Sequence, residues 1–166
     1  MGKTTLGRVS SSRVMSQTVR YRERLWVPWW WWAVGVGLAA LFATEINMGV
    51  QGLPIWLSYA VLGAAAAGVL LWLSRTEVRV VDTDGDVELW AGQAHLPATV
   101  VSQSAPVPRT AKSAALGRQL DPAAFIVHRA WIGPMALVVL NDPDDPTPYW
   151  LVSSRHPERL LSALSR

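Results

Sequence analysis

The chain has 166 residues, 51% of them hydrophobic, a formal net charge of +3 and no cysteine. That length suits one modest domain plus an anchor. The missing cysteine excludes disulfides, thiolate metal sites, cysteine nucleophiles and cysteine-linked lipids. The positive charge is confined to the start: residues 1–24 hold Lys3, Arg8, Arg13, Arg20, Arg22 and Arg24 against Glu23 alone. Residues 75–166 hold nine Lys or Arg and ten Asp or Glu, so a basic body for nucleic acid is not indicated.

Residues 1–24 read as a basic, disordered cytoplasmic tail. Gly2-Lys3-Thr4 lacks the preceding glycine and strand of a phosphate-binding loop, and Leu6 spoils a myristoylation context. Residues 25–73 read as a transmembrane helical hairpin, with spans at about 25–45 and 55–73. Leu25–Ala43 and Ile55–Leu73 carry no charge, and at 1.5 Å rise each covers roughly 28 Å. Between them, Thr44–Pro54 is short, polar and turn-rich, so the helices return antiparallel. Basic residues lie before the first span and after the second, at Arg75 and Arg79, and none lies in the loop. The positive-inside rule then puts both termini in the cytoplasm of a multi-pass plasma-membrane protein. No A-x-A site ends the first apolar run, which argues against a cleaved signal peptide.

Trp26, Trp29, Trp30, Trp31, Trp32, Trp56 and Trp72, with Arg20, Arg22 and Arg24, are the expected membrane-interface residues. Indole settles at headgroup depth and arginine meets anionic lipid there. Gly35, Ala39 and Ala43, and Gly63 with Ala67, are small residues four apart that let helices approach closely, within the hairpin or in a homo-oligomer.

Residues 75–166 change to period two and read as a β-rich cytoplasmic domain. Strands are expected at about 77–81, 87–90, 99–102, 124–127, 135–140 and 149–153, with Asp84-Gly85 as a hairpin turn. Pro106 and Pro108 end the third, and Lys112–Leu120 fits a short helix or a loop. Pro157–Ser165 reads as an amphipathic helix. The fold class is therefore an α+β membrane protein, with a two-helix hairpin before a small antiparallel β domain closed by its C-terminal helix. That is the layout of pleckstrin-homology-like domains.

Several groups of residues are candidates for chemistry. Asp82, Asp84 and Asp86 fail the EF-hand spacing, because Val87 and Gln93 fall where glycine and glutamate belong. Asp142, Asp144 and Asp145 sit in a proline-stiffened turn, and no metal is expected there. His95, His128 and His156 have no zinc spacing, and no serine stands in a G-x-S-x-G context. The pairs His128-Arg129 and Arg155-His156, with Trp131 and Trp150, are expected to line a cationic, aromatic pocket for an anionic headgroup or a partner's carboxylate. The bland alternative has Arg155 and His156 capping the last helix or pairing with Glu158 or Asp121.

Tyr21-Arg22-Glu23-Arg24-Leu25, Leu120-Asp121-Pro122-Ala123-Ala124-Phe125, Asp142–Trp150 and Ser154-Arg155-His156-Pro157 together resemble the actinobacterial membrane-protein family of unknown function DUF3093. The resemblance implies a two-helix anchor with a cytoplasmic domain and carries no assigned activity. The expected function is a non-catalytic, membrane-anchored binding or scaffold domain at the inner leaflet, without a cofactor, recruiting a protein partner or a lipid headgroup. The alternatives are an accessory subunit of an envelope-biogenesis or transport complex and, more weakly, an enzyme on a lipid-linked substrate using His128 or His156.

Overall fold

The computed structural model describes residues 16–50 and 52–165. Its first element corrects the expected tail: β1, Gln17–Arg24, is a strand. It pairs antiparallel with β2, Glu77–Thr83, from Gln17 opposite Thr83 to Arg24 opposite Glu77. The ladder slips between Val19 and Tyr21, a bulge that leaves Arg20 outside the register. Arg20 reaches Asp82 at 2.6 Å and Arg22 reaches Glu77 at 2.9 Å, so charges that read as a solvated leader are paired within a sheet. Residues 1–15, the rest of the expected tail, lie outside the described residues.

Between β1 and β2 the chain forms two apolar helices, α1 (Trp29–Gly49) and α2 (Ile55–Leu73). α1 begins four residues later than Leu25 because Pro28 occupies its N-cap and holds Val27 extended. Leu25 and Val27 are instead buried against the domain. α1 also runs past Thr44 and Asn47, which read as loop. Their side chains satisfy themselves inside the helix, the Thr44 hydroxyl donating to the Ala40 carbonyl at 2.9 Å and the Asn47 amide to that of Ala43 at 2.8 Å. Asn47 also accepts from the Ser58 hydroxyl at 2.8 Å, and the hydroxyls of Thr44 and Tyr59 lie 2.9 Å apart, which ties α1 to α2. Ala43 is fully buried between the helices, and a Cβ on Gly35 would stand 3.0 Å from Leu70 Cδ1. The small residues of α1 thus serve packing within the pair. Both helices are long and apolar enough to cross a membrane.

β2 continues through Asp84-Gly85 into β3 (Asp86–Ala91). Both turn residues have positive φ, 53° and 101°, as a two-residue primed hairpin demands. A second tight turn at Gly92, φ 69°, returns the chain as β4 (Ala94–Pro97), a strand absent from the sequence expectation because only four residues carry it. The first sheet has the order β1-β2-β3-β4.

The second sheet follows. β5 (Val101–Val107) runs through Pro106, which was expected to end it. β5 is an edge strand, where a residue without an N–H is tolerated. One helical turn, α3 (Lys112–Ala115), leads to β6 (Phe125–Val127), β7 (Met135–Leu140) and β8 (Tyr149–Ser153). The order is β5-β7-β8-β6, and β6 runs parallel to β8, so the sheet is mixed rather than wholly antiparallel. The loop 109–124 is long enough to carry the chain across to the far edge, which makes that parallel pairing possible. α4 (Pro157–Leu164) buries Leu160, Leu161 and Leu164 against both sheets.

Trp150, expected to line a binding pocket, is 6% exposed and lies in this core with its ring 4.3 Å from that of Phe125. Alternation places Tyr149 on the opposite face, where its hydroxyl accepts the Asp121 N–H at 2.8 Å and donates to the Gln119 carbonyl at 3.3 Å. Trp150→Ala should therefore destabilise the domain by about 3–5 kcal/mol. Tyr149→Phe, which removes one hydroxyl, should cost about 1 kcal/mol. Chemical denaturation of the full chain in detergent micelles checks the order of the two.

Candidate functional site

The two chain segments that join helices to domain run side by side. The Leu25 N–H donates to the Thr76 carbonyl at 2.9 Å, Arg24 Nε to the Ser74 carbonyl at 3.1 Å, and the Val27 N–H to the Ser74 hydroxyl at 3.4 Å. Glu23, the last inward-facing residue of β1 before this joint, has a side chain only 9% exposed. Its carboxylate accepts hydrogen bonds from the Tyr21 hydroxyl at 2.6 Å, the Ser154 hydroxyl at 2.7 Å and the Arg155 backbone N–H at 2.9 Å. The Arg155 guanidinium then donates to the carbonyls of Arg24 at 3.1 Å and Trp26 at 2.9 Å, and stands 3.5 Å from Glu23. A planar fork bridging two carbonyls on one strand exit is a geometry arginine provides and lysine does not.

Arg155 is thus a latch across the joint. It takes neither of the roles sequence suggested, a pocket wall with Trp150 or a partner of Glu158 or Asp121. Arg129 is likewise structural: its backbone N–H donates to the Ser153 hydroxyl at 2.9 Å and its guanidinium to the Thr76 hydroxyl. Its Nε is buried without a partner among the described residues. Arg20 and Arg22, expected at a lipid interface, point along the sheet to Asp82 and Glu77. Four residues at about 3.3 Å per residue put Arg20 roughly 13 Å behind Arg24. Arg24 alone stays at the helix start, its guanidinium 4.1 Å over the Trp26 ring.

The remaining predicted residues separate. His156 lines a cleft with Arg155, Arg159 and Pro106, whereas His128 and Trp131 belong to another, of about 800 Å³. An acid–base pair of His128 and His156 is not assembled. The larger cleft lies between the start of α1, the segment 109–116 and the loop after β6. Pro28, Trp30 and Trp131 form its aromatic and apolar wall, and Arg109 and Lys112 its cationic one, with the His128 imidazole beside them. Trp131 is fixed by its indole N–H, which donates to the Leu25 carbonyl at 3.3 Å, and by an edge-on contact with Trp31, 5.5 Å between centroids. Lys112 Nζ donates to the carbonyls of Arg129 at 3.1 Å and Ile132. Arg109 lies across Gly133, where any Cβ would come within 3.0 Å of its Cδ.

No acidic residue lines this cleft. Burial, then Arg109, lowers the pKa of Lys112, and burial, then Lys112 and Arg129, lowers that of His128. The site therefore gathers positive charge that nothing among the described residues neutralises. Arg109 and Lys112 were missed from sequence because no periodic pattern marks residues 109–124. Trp29–Trp32 and Trp72 stand at the domain end of the helices and Trp56 at the other. The Asp-rich turn at Asp82–Asp86 is tied off, since Asp82 accepts from Arg20 and from the Gly85 N–H and its pKa falls accordingly, Arg20 being the larger cause. Among the described residues no group of three His, Asp or Glu is placed to share a metal.

The fold and its joint define an α+β protein in which two long apolar helices are inserted between paired strands of a small two-sheet domain. Residues 20–164 match the family described as Protein of unknown function (DUF3093), and the chain belongs to that family. No curated protein and no solved structure matches it.

Two expectations follow from the latch. Arg155→Lys, despite its retained charge, should expose the Arg24–Trp26 segment nearly as much as Arg155→Ala, read as faster amide hydrogen exchange at Leu25–Val27. The second concerns pH. Burial, and next the hydrogen bond to Glu23, push the Tyr21 phenol up from 10.0 to about 12. A raised folded-state pKa stabilises the protein fully below pH 10, and this contribution disappears as pH rises towards 12. The thermal midpoint of the wild type should fall more steeply across that window than that of Tyr21→Phe.

Proposed function

We propose that the chain is a two-span membrane protein whose domain is a non-catalytic binding module held at the cytoplasmic face of the plasma membrane, recruiting a lipid headgroup or a protein partner. The observation that carries this is the solvent exposure of two helices that have no soluble reason to be apolar. α1 and α2, 21 and 19 residues long, match bilayer thickness at about 1.5 Å per residue, and only 6% of each apolar window is buried. Trp29 is 82% exposed and Trp56 and Trp72 are each 69% exposed, in positions suited to the two interfaces. The charge bias of the flanks supports a cytoplasmic domain.

We take the two sheets closed by α4 as pleckstrin-homology-like, an analogy of fold that supports membrane-proximal binding and names no ligand. One observation favours an accessory subunit as a second reading. Gly63 of α2 has nothing within 4 Å of a Cβ position, so its side of the helix is open to a further helix.

A tag placed at Arg166 should resist external protease in intact cells, and one inserted at Gly49 should be cleaved. The reverse pattern would overturn the orientation. Release of the protein by alkaline carbonate would overturn the membrane assignment itself.

A further inference from the structure

We infer that the cleft formed by Arg109, Lys112 and His128 beside Trp30 and Trp131 binds the phosphate of an anionic phospholipid whose acyl chains lie along α1. This deepens the membrane assignment above and rests on it. Three observations carry it. First, the donors are available. Arg109 makes no hydrogen bond among the described residues, and of the three protons on Lys112 Nζ two are taken by carbonyls, leaving one. A guanidinium with a free fork and a lysine proton beside it match a phosphate.

Second, the charge is uncompensated and self-repelling. The lining contains no Asp or Glu, and residues 1–15, which lie outside the described residues, contain none in their sequence. Burial is the larger cause of the lowered Lys112 and His128 pKa values, but Arg109 adds to the first and Lys112 and Arg129 to the second, a repulsion that a bound anion would relieve.

Third, the depth is that of a lipid phosphate. Pro28 caps α1 and Trp30 lies in its first turn, so both mark where the helix leaves the domain. If α1 spans the bilayer, the cleft opens at the headgroup layer, its tryptophans at the depth indole prefers and the apolar flank of α1 continuing into hydrocarbon. A free anion would use Arg109 and Lys112 but would gain nothing from that apolar continuation. The volume, about 800 Å³, falls within the range of small-molecule sites.

Arg109 is the residue to test, because it holds no other part of the structure. The full-length protein, purified in neutral detergent, is mixed with phosphatidylglycerol, phosphatidylcholine or inorganic phosphate, and retained ligand is counted by native mass spectrometry. Wild type should retain phosphatidylglycerol over phosphatidylcholine. Arg109→Gln should weaken that retention about fivefold, the effect of one charge at an anionic surface. Gly133→Ala, which displaces Arg109, should weaken it in the same direction. Arg79→Gln, whose guanidinium stacks over Trp90 on the first sheet, should leave it unchanged.

Equal retention by wild type and Arg109→Gln would overturn the proposal, as would equal retention of the two lipids. Retention of inorganic phosphate with neither lipid would make this a site for a soluble anion and would overturn it too. Carbonate extraction of both proteins separates the two levels. If both stay in the membrane while lipid retention is unselective, the cleft assignment alone falls; if both are extracted, the membrane assignment falls with it.

Discussion

The antiparallel ladder between Gln17–Arg24 and Glu77–Thr83 is the constraint on which the rest depends. The helical pair enters from one of these strands and leaves into the other, so it is held by both ends at adjacent points of one sheet. A helical pair attached through a flexible leader would leave its domain free to tilt. Here the domain's orientation to α1 and α2 is set by backbone hydrogen bonds, Leu25 to Thr76 among them, and by Arg24 and Val27 on Ser74. The cleft at Trp30 and Trp131 has a defined relation to the helix axis for that reason alone.

Glu23 converts this pairing into a closed joint between both sheets. β1 supplies the carboxylate, and the exit of β8 supplies Ser154 and Arg155. A carboxylate this enclosed is tolerable because each of its oxygens is met by a donor, and an unpaired one would carry the desolvation penalty of a buried charge. The same logic accounts for Ser74, 2% exposed, whose hydroxyl donates to the Leu70 carbonyl at the end of α2 while accepting from Val27. Buried polar groups at this joint are paired nearly throughout, and that satisfaction confers a single geometry rather than large net stability.

Much of the architecture is legible in sequence because periodicity is strong there. The two apolar runs, the Asp84-Gly85 hairpin, the strands at 135–140 and 149–153 and the final amphipathic helix all announce themselves. β1 does not. Its three arginines match what a membrane-flanking leader looks like, and the bulge at Arg20 leaves Val19 exposed while Tyr21 and Glu23 face inward, so no apolar stripe marks the strand. Trp150 was ambiguous for a related cause: Tyr149 and Trp150 give each face of β8 an aromatic, and only the packing of Phe125 decides which is core. At the cleft, His128 and Trp131 were visible as polar and aromatic residues outside a clear strand. Arg109 and Lys112, about twenty residues earlier, join them only because β6 pairs in parallel with β8 and brings the two loops together.

The stretches that carry the family resemblance are those that make the joints. Tyr21–Leu25 meets Ser154–Pro157 through Glu23, and Tyr149 closes onto the turn at Asp121. Each pair is distant in sequence and must fit in three dimensions, so changing one side alone breaks a polar contact. Such stretches specify assembly. The cationic cleft is specified differently, by side chains that hold little else: Arg109 rests on Gly133 and is free to serve a ligand. A joint made rigid by satisfied polar groups and a neighbouring cleft left electrostatically unsatisfied are complementary. If the helices span a membrane, the first would fix the depth at which the second meets it, and a fixed depth is what would let Arg109 and Lys112 select a headgroup by charge rather than merely attract a surface.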